Sequence, residues 1–277
     1  MKLKINIPDV SKEIDIVQII NDSTVRFGDR YEKPEPLVVV VEGVKEKLFL
    51  NYGGISGFFG KQKSRKTFNL ATVMAAAVGN CLIDNRLRGY SFGKQHYWFD
   101  TEQSRYYVNR SAYRVVKILG IESHPENFHL LSIKKYPPED KIRIIEHIID
   151  TSENLGLLII DTLSDLVYNI NDLEECNKLM FKLMQWVDTK NCHIACALHI
   201  NPLKKGDDEK PRGHLGTELQ NRCESSIVVE KKTSRMSLIK PRDFRDDAIK
   251  PYALVVDEYG IPRLIDADKE DIEEESL

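Results

Sequence analysis

Residues 57–69 read GFFGKQKSRKTFN. Against the phosphate-binding pattern G-x-x-x-x-G-K-[ST], Gly60, Lys66 and Thr67 fall at the required spacing, and Arg65 stands where the second glycine belongs. In that pattern the first glycine lets backbone N–H groups turn towards phosphate oxygens. The lysine reaches the β- and γ-phosphates, and the hydroxyl holds a magnesium ion. Lys61, Gln62, Lys63 and Ser64 complete the loop and Phe68 follows it, so residues 60–68 are the expected nucleotide contact. Arginine at 65 requires a backbone conformation that a Cβ tolerates. It also adds a cation beside Lys61 and Lys63, which is expected to assist phosphate binding. The competing reading is a lysine-rich surface turn before a helix. The flanks favour the loop: GISGFF before it reads as a strand, and FNLATVMAAAVGN after it as an apolar helix.

Outward from the loop the pattern is regular. LVVVV (37–41), KLFL (47–50), HYWFD (96–100), NFHLLSI (127–133), LGLLIID (155–161) and CHIACALHI (192–200) read as strands. Helices are predicted over 104–119 and 173–189. A third is opened by Pro137 and Pro138, with Ile142, Ile145, Ile148 and Ile149 at helical spacing. Near-continuous apolar strands alternating with helices predict an α/β fold, with a mostly parallel central sheet and helices on both faces. A short helix (214–224) then leads into SIVVEKK, RMSLIKP and YALVVDE, a strand-rich C-terminal extension of the same sheet. Residues 1–36 are polar, with Ile14, Val17 and Ile20 marking a short helix, and form an expected N-terminal extension. The main domain is expected over 37–265 and an acidic tail over 266–277.

With a net charge of −3 over 277 residues, any contact with nucleic acid has to come from a local patch. No run of 18 apolar residues exists, and MKLKINIPDVSKEID lacks the apolar segment of a signal peptide. The five cysteines (Cys81, Cys176, Cys192, Cys196, Cys223) form no C-x-x-C pair and are expected to be buried thiols of a cytoplasmic protein.

Three later strand ends bear on the loop. LLIID places Asp161 where a second magnesium carboxylate is needed, although an aspartate there also suits a turn cap. FDTEQS offers Glu102 to orient or deprotonate water, with Asp100 as the neighbouring candidate and helix capping as the alternative. His199 stands near the end of CHIACALHI, at a place suited to sensing a γ-phosphate; a lone histidine is more often structural. Ligands of open α/β sheets lie at these carboxyl ends.

Taken in order, GKQKSRKT, FDTE, LLIIDTLSDL, ALHINP and PRGHLGTELQNRCESSIVVE resemble the RecA-like ATPases, particularly the branch with hexameric replicative helicases such as RepA and DnaB. The G-x-x-x-x-R-K-T-F variant resembles RepA-like ATPases of mobile elements, often labelled mobilisation proteins. The resemblance implies ATP and magnesium as ligands. It assigns phosphate and magnesium binding to Lys66 and Thr67, the second metal carboxylate to Asp161, the catalytic glutamate to Glu102 and the sensor to His199. It further implies that Lys240 and Arg242, in IKPRDF, reach a neighbouring copy's site in a homo-oligomer, with a hexamer as one form. A solvated basic strand end is the plainer reading of that pair.

The loop NPLKKGDDEKPRGHLG (201–216) lies where this family touches single-stranded DNA. Lys204, Lys205, Lys210 and Arg212 are offset by Asp207, Asp208 and Glu209, no aromatic residue is interleaved for stacking, and Gly206, Gly213 and Gly216 suggest a mobile loop. Two departures stand out. Arg65 replaces a glycine, and the first residues do not resemble the helical collar of the DnaB group. Three functions remain open at this point: a DNA-linked ATPase, a nucleotide-binding regulator or adaptor that does not hydrolyse, and a small-molecule kinase.

Overall fold

Strands that are apolar on both faces must be covered on both faces, and this requirement organises the chain. The structure is a computed structural model that describes residues 15–201 and 210–267. The chain divides after Lys33. The described part of the first unit contains helix α1 (Ile16–Ser23), capped by Asp15, whose Oδ1 accepts from the N–H groups of Val17 (3.1 Å) and Gln18 (3.0 Å). Ile14, predicted to belong to this helix, lies outside the described residues.

The second unit runs β1 (Pro36–Glu42), β2 (Lys45–Asn51), β3 (Ile55–Gly60), α2 (Lys66–Gly79), β4 (Leu82–Ile83), β5 (Leu87–Gly89), β6 (Gln95–Asp100), α3 (Arg105–Ile118) and β7 (Phe128–Ser132). It continues with α4 (Pro138–Thr151), β8 (Leu155–Asp161), a 3-10 turn (Leu163–Leu166), α5 (Leu173–Lys190), β9 (His193–His199) and α6 (Gly213–Arg222). It closes with β10 (Ser225–Lys231), β11 (Met236–Phe244), β12 (Tyr252–Val256) and β13 (Pro262–Asp266).

Nine strands form the central sheet in the order β13-β12-β11-β10-β3-β9-β8-β6-β7. From β10 to β7 every pairing is parallel; β10 to β13 pair antiparallel. The alternation of side chains along β8 fills both layers. Leu157 and Ile159 join the core under α2 and α3, whereas Leu158 and Ile160 join the core under α4, α5 and α6. The expected α/β fold with helices on both faces and a strand-rich C-terminal extension is therefore observed.

Three details differ from the sequence reading. The LVVVV and KLFL strands pair with each other, and LVVVV also with β5, in a separate antiparallel sheet of order β2-β1-β5-β4. PRLID, next to the acidic end of the chain, is a further strand, β13, paired with β12. Gly213 and Gly216 are not loop residues: they open α6, where Gly216 packs against Pro211 and Leu198. Residues 202–209, with Lys204, Lys205, Gly206, Asp207, Asp208 and Glu209, lie outside the described residues, as does the chain beyond residue 267. Among the described residues no helix is long and apolar enough to cross a membrane. All five cysteines are free thiols; Cys81 is partly buried and the others are buried.

Candidate nucleotide site

Register brings the polar strand ends together. Gly60 on β3 lies opposite His199 on β9, and Asp100 on β6 lies opposite Asp161 on β8. Parallel strands share one carboxyl edge, so a glycine-containing loop, two aspartates and a histidine converge there. Gly60 is required by space. A Cβ on it would come within 2.5 Å of Ser64 Oγ and 2.6 Å of the Val229 carbonyl oxygen. The loop folds that tightly back on itself and against β10, and Ser64 Oγ is buried in it without a hydrogen-bond partner.

Lys66 begins α2 and is buried. Its Nζ donates to the carbonyl oxygens of Gly60 (3.0 Å) and Lys61 (3.1 Å) and to His199 Nδ1 (3.1 Å). An ammonium group only donates, so Nδ1 accepts. The imidazole proton then sits on Nε2, which faces Glu102 Oε2 at 3.8 Å, longer than a hydrogen bond. Burial lowers the Lys66 pKa to about 8, with Asp161 and Glu102 pulling it back up.

The Thr67 hydroxyl donates to Asp161 Oδ2 at 2.8 Å. Asp161 is buried. Burial first, then the neighbouring Asp100 carboxylate, pushes its pKa up to about 7, against the Thr67 hydrogen bond and the Lys66 charge. Asp100 and Glu102 have different roles. Asp100 is fully buried and accepts from Glu102 N (3.2 Å), Gln103 N (2.8 Å) and Gln103 Nε2 (2.7 Å), so it builds the turn. Glu102 is left half-exposed at the mouth, its pKa held below the usual range chiefly by His199.

Of these residues Glu102 and His199 line a cleft of about 780 Å³, together with Lys61, Gln62 and Arg212 among others. The sequence reading grouped Arg212 with the cations of the 201–216 loop. The structure returns it to the cleft, where its N–H donates to the His199 carbonyl at 3.0 Å. Thr162, Ser164 and Asp165 also line the cleft and were not singled out; the polar run DTLSD directly after a buried strand was their signal.

Lys63 is exposed, with φ 63°. Phe68 turns towards α3, where the Arg114 guanidinium lies 3.8 Å from its ring centroid. Lys240 and Arg242 sit on β11. Lys240 Nζ lies 3.0 Å from Glu230, Arg242 Nε lies 3.5 Å from Asp243, and neither lines the cleft of its own chain.

Arg65 is the main correction. Its backbone is left-handed (φ 73°, ψ 31°), the conformation a glycine adopts freely and a Cβ disfavours by about 1–2 kcal/mol. Its charge is not delivered to the loop mouth. Nη1 donates to the Met236 carbonyl and Ser237 Oγ, both at 3.0 Å, and Nη2 to the Ser234 carbonyl. All three acceptors lie at the β10–β11 hairpin. The guanidinium therefore braces the loop from behind.

The donor set suits magnesium and a polyphosphate. A hydroxyl and a carboxylate 2.8 Å apart are hard oxygen ligands, and a buried ammonium group stands beside them. Set against known proteins, the chain matches no family model, and no curated protein matches it. Among solved structures it resembles the crystal structure of the RadB recombinase, with a TM-score of 0.54 over 80% of this chain and 94% of that one, at 16% identity. The fold is RecA-like.

Proposed function

We propose that this chain binds ATP with magnesium, hydrolyses it, and acts on DNA as a homo-oligomer. The observation that carries the reading is the 2.8 Å contact between Thr67 and Asp161 beside the buried ammonium of Lys66. In this reading Thr67 and Asp161 would hold the magnesium ion, which would supply positive charge against the phosphates. Lys66 leaves its internal acceptors for the β- and γ-phosphates. Glu102, ionised at the cleft mouth, orients water and accepts its proton. His199, between Lys66 and Glu102, links the phosphate-binding cation to the base.

The name of the structural neighbour, a recombinase, supports action on DNA. The order of motifs supports the finer placement, a RepA- or DnaB-like ATPase serving replication or mobilisation of a plasmid or mobile element. Single-stranded DNA would be met by the 201–216 segment. Lys240 and Arg242 would serve a neighbouring copy.

The test is phosphate release with magnesium and ATP, with and without single-stranded DNA. Lys66→Ala is expected to lower turnover by about 10²–10³-fold, the usual effect of losing one charge-stabilising donor. A well-folded protein that releases no phosphate under either condition rejects hydrolysis. Turnover indifferent to DNA rejects the coupling.

A further inference from the structure

The phosphate loop is fastened to the β10–β11 hairpin from both sides. Arg65 donates to Ser234 O, Met236 O and Ser237 Oγ. The Ser237 hydroxyl in turn donates to the Ser64 carbonyl at 3.1 Å, so it both accepts from and donates to the loop. The hairpin end is ordered by its own turn: Thr233 Oγ1 accepts from the N–H groups of Arg235 (3.2 Å) and Met236 (2.9 Å). Ser64 and Ser237 are buried, so the bond between them is shielded from water. The same strand β11, three and five residues past Ser237, carries Lys240 and Arg242.

We infer that Arg65 is a positioning residue that makes the β10–β11 hairpin and the phosphate loop one mechanical unit, so that nucleotide occupancy is transmitted along β11. A glycine at 65 would satisfy the loop's backbone without strain. What arginine adds is three hydrogen bonds to a hairpin about 170 residues away in sequence. A nucleotide that fixes the loop thereby fixes the hairpin. A partner that displaces the hairpin loosens the loop by the same factor, because coupling between two sites is reciprocal. The inference rests on the proposed nucleotide site and adds its regulation.

The experiment is hydrogen exchange of a peptide spanning residues 232–239, with and without a non-hydrolysable ATP analogue and magnesium. Binding is followed separately by the rise in melting temperature. In the unaltered protein, nucleotide is expected to slow exchange of this peptide about fivefold or more. Arg65→Gly fits the left-handed backbone and folds. It is expected still to bind the analogue, within about tenfold, while the hairpin response is lost. Ser237→Ala cuts the link from the hairpin side with the loop sequence intact and is expected to reduce the response.

A melting-temperature rise with an unchanged hairpin in the unaltered protein overturns the inference and leaves the nucleotide site standing. So does a full hairpin response in Arg65→Gly, or loss of all binding in that variant. No melting-temperature rise in the unaltered protein overturns the nucleotide site itself, and the inference with it.

Discussion

The two halves of the nine-stranded sheet are built by different rules. From β3 to β7 the strands are parallel and covered by helices on both faces, and their carboxyl ends supply Gly60, Asp100, Asp161 and His199 to one edge. From β10 to β13 the pairing turns antiparallel and contributes no residue to the cleft lining. It contributes the hairpin that grips Arg65 and the strand that holds Lys240 and Arg242. The parallel half sets out the chemistry, and the antiparallel half braces it. The contrast also explains why Arg65 is acceptable in the loop: its side chain leaves one half of the sheet to bind the other.

Substitutions can break this division or sharpen it. The largest expected effect is on turnover. Glu102→Gln removes the proposed base at the parallel edge and is expected to cut phosphate release by about 10²–10⁴-fold with nucleotide still bound. Arg242→Ala tests the other half. Turnover lost only in the assembled oligomer would give the antiparallel strands a role in a neighbour's site, and full activity would leave them as a brace.

The next effect is on stability. Ile159→Ala, in the middle of β8, should cost about 2–5 kcal/mol by denaturant unfolding, whereas Arg263→Ala, exposed on β13, should stay within about 0.5 kcal/mol. Equal losses would mean that the two halves are equally cored. A smaller effect depends on pH. The folded pKa of Asp161, near 7, lies above its ordinary 3.8, so the native state holds a proton that the unfolded chain releases between these values. Its contribution is fully present below about pH 3.8 and lost as pH rises through 7. Asp161→Asn should therefore raise the unfolding free energy of the nucleotide-free protein at pH 8 by roughly 1–3 kcal/mol, and match the unaltered protein near pH 4. A variant equally stabilised at both pH values would place the cause elsewhere. A further small effect is expected on the antiparallel face. Glu230 pairs with Lys232 (2.9 Å) and Lys240 (3.0 Å), and Glu230→Gln should cost less than about 1 kcal/mol.

The parallel half was legible in the sequence because its signals are local. A buried strand that ends in a polar residue, such as LLIID or HIACALH, announces both its burial and its edge. The loop pattern fixed the place of Lys66 and Thr67 in the same way. What was not legible depends on distant partners. The direction of the Arg65 side chain is decided by Ser234, Met236 and Ser237, and a loop read by itself points that cation towards phosphate. Likewise the place of Arg212 at the cleft comes with its backbone N–H bond to the His199 carbonyl, a partner thirteen residues back that no local pattern reveals. Strands β4 and β5, of two and three residues, are too short for a periodic signal; their pairing with each other and with β1 defines them.

Lys66 carries one more consequence. An ammonium group has three N–H bonds, and the fold already provides three acceptors for them: Gly60 O, Lys61 O and His199 Nδ1. The site thus contains its own competitor for a ligand. Any incoming anion must outbid two carbonyls and an imidazole before it gains the lysine. A lone small anion has few oxygens with which to do so, whereas a polyphosphate chain meets the loop at several points at once. The arrangement is an entry threshold, and it screens ligands by how many contacts they bring together.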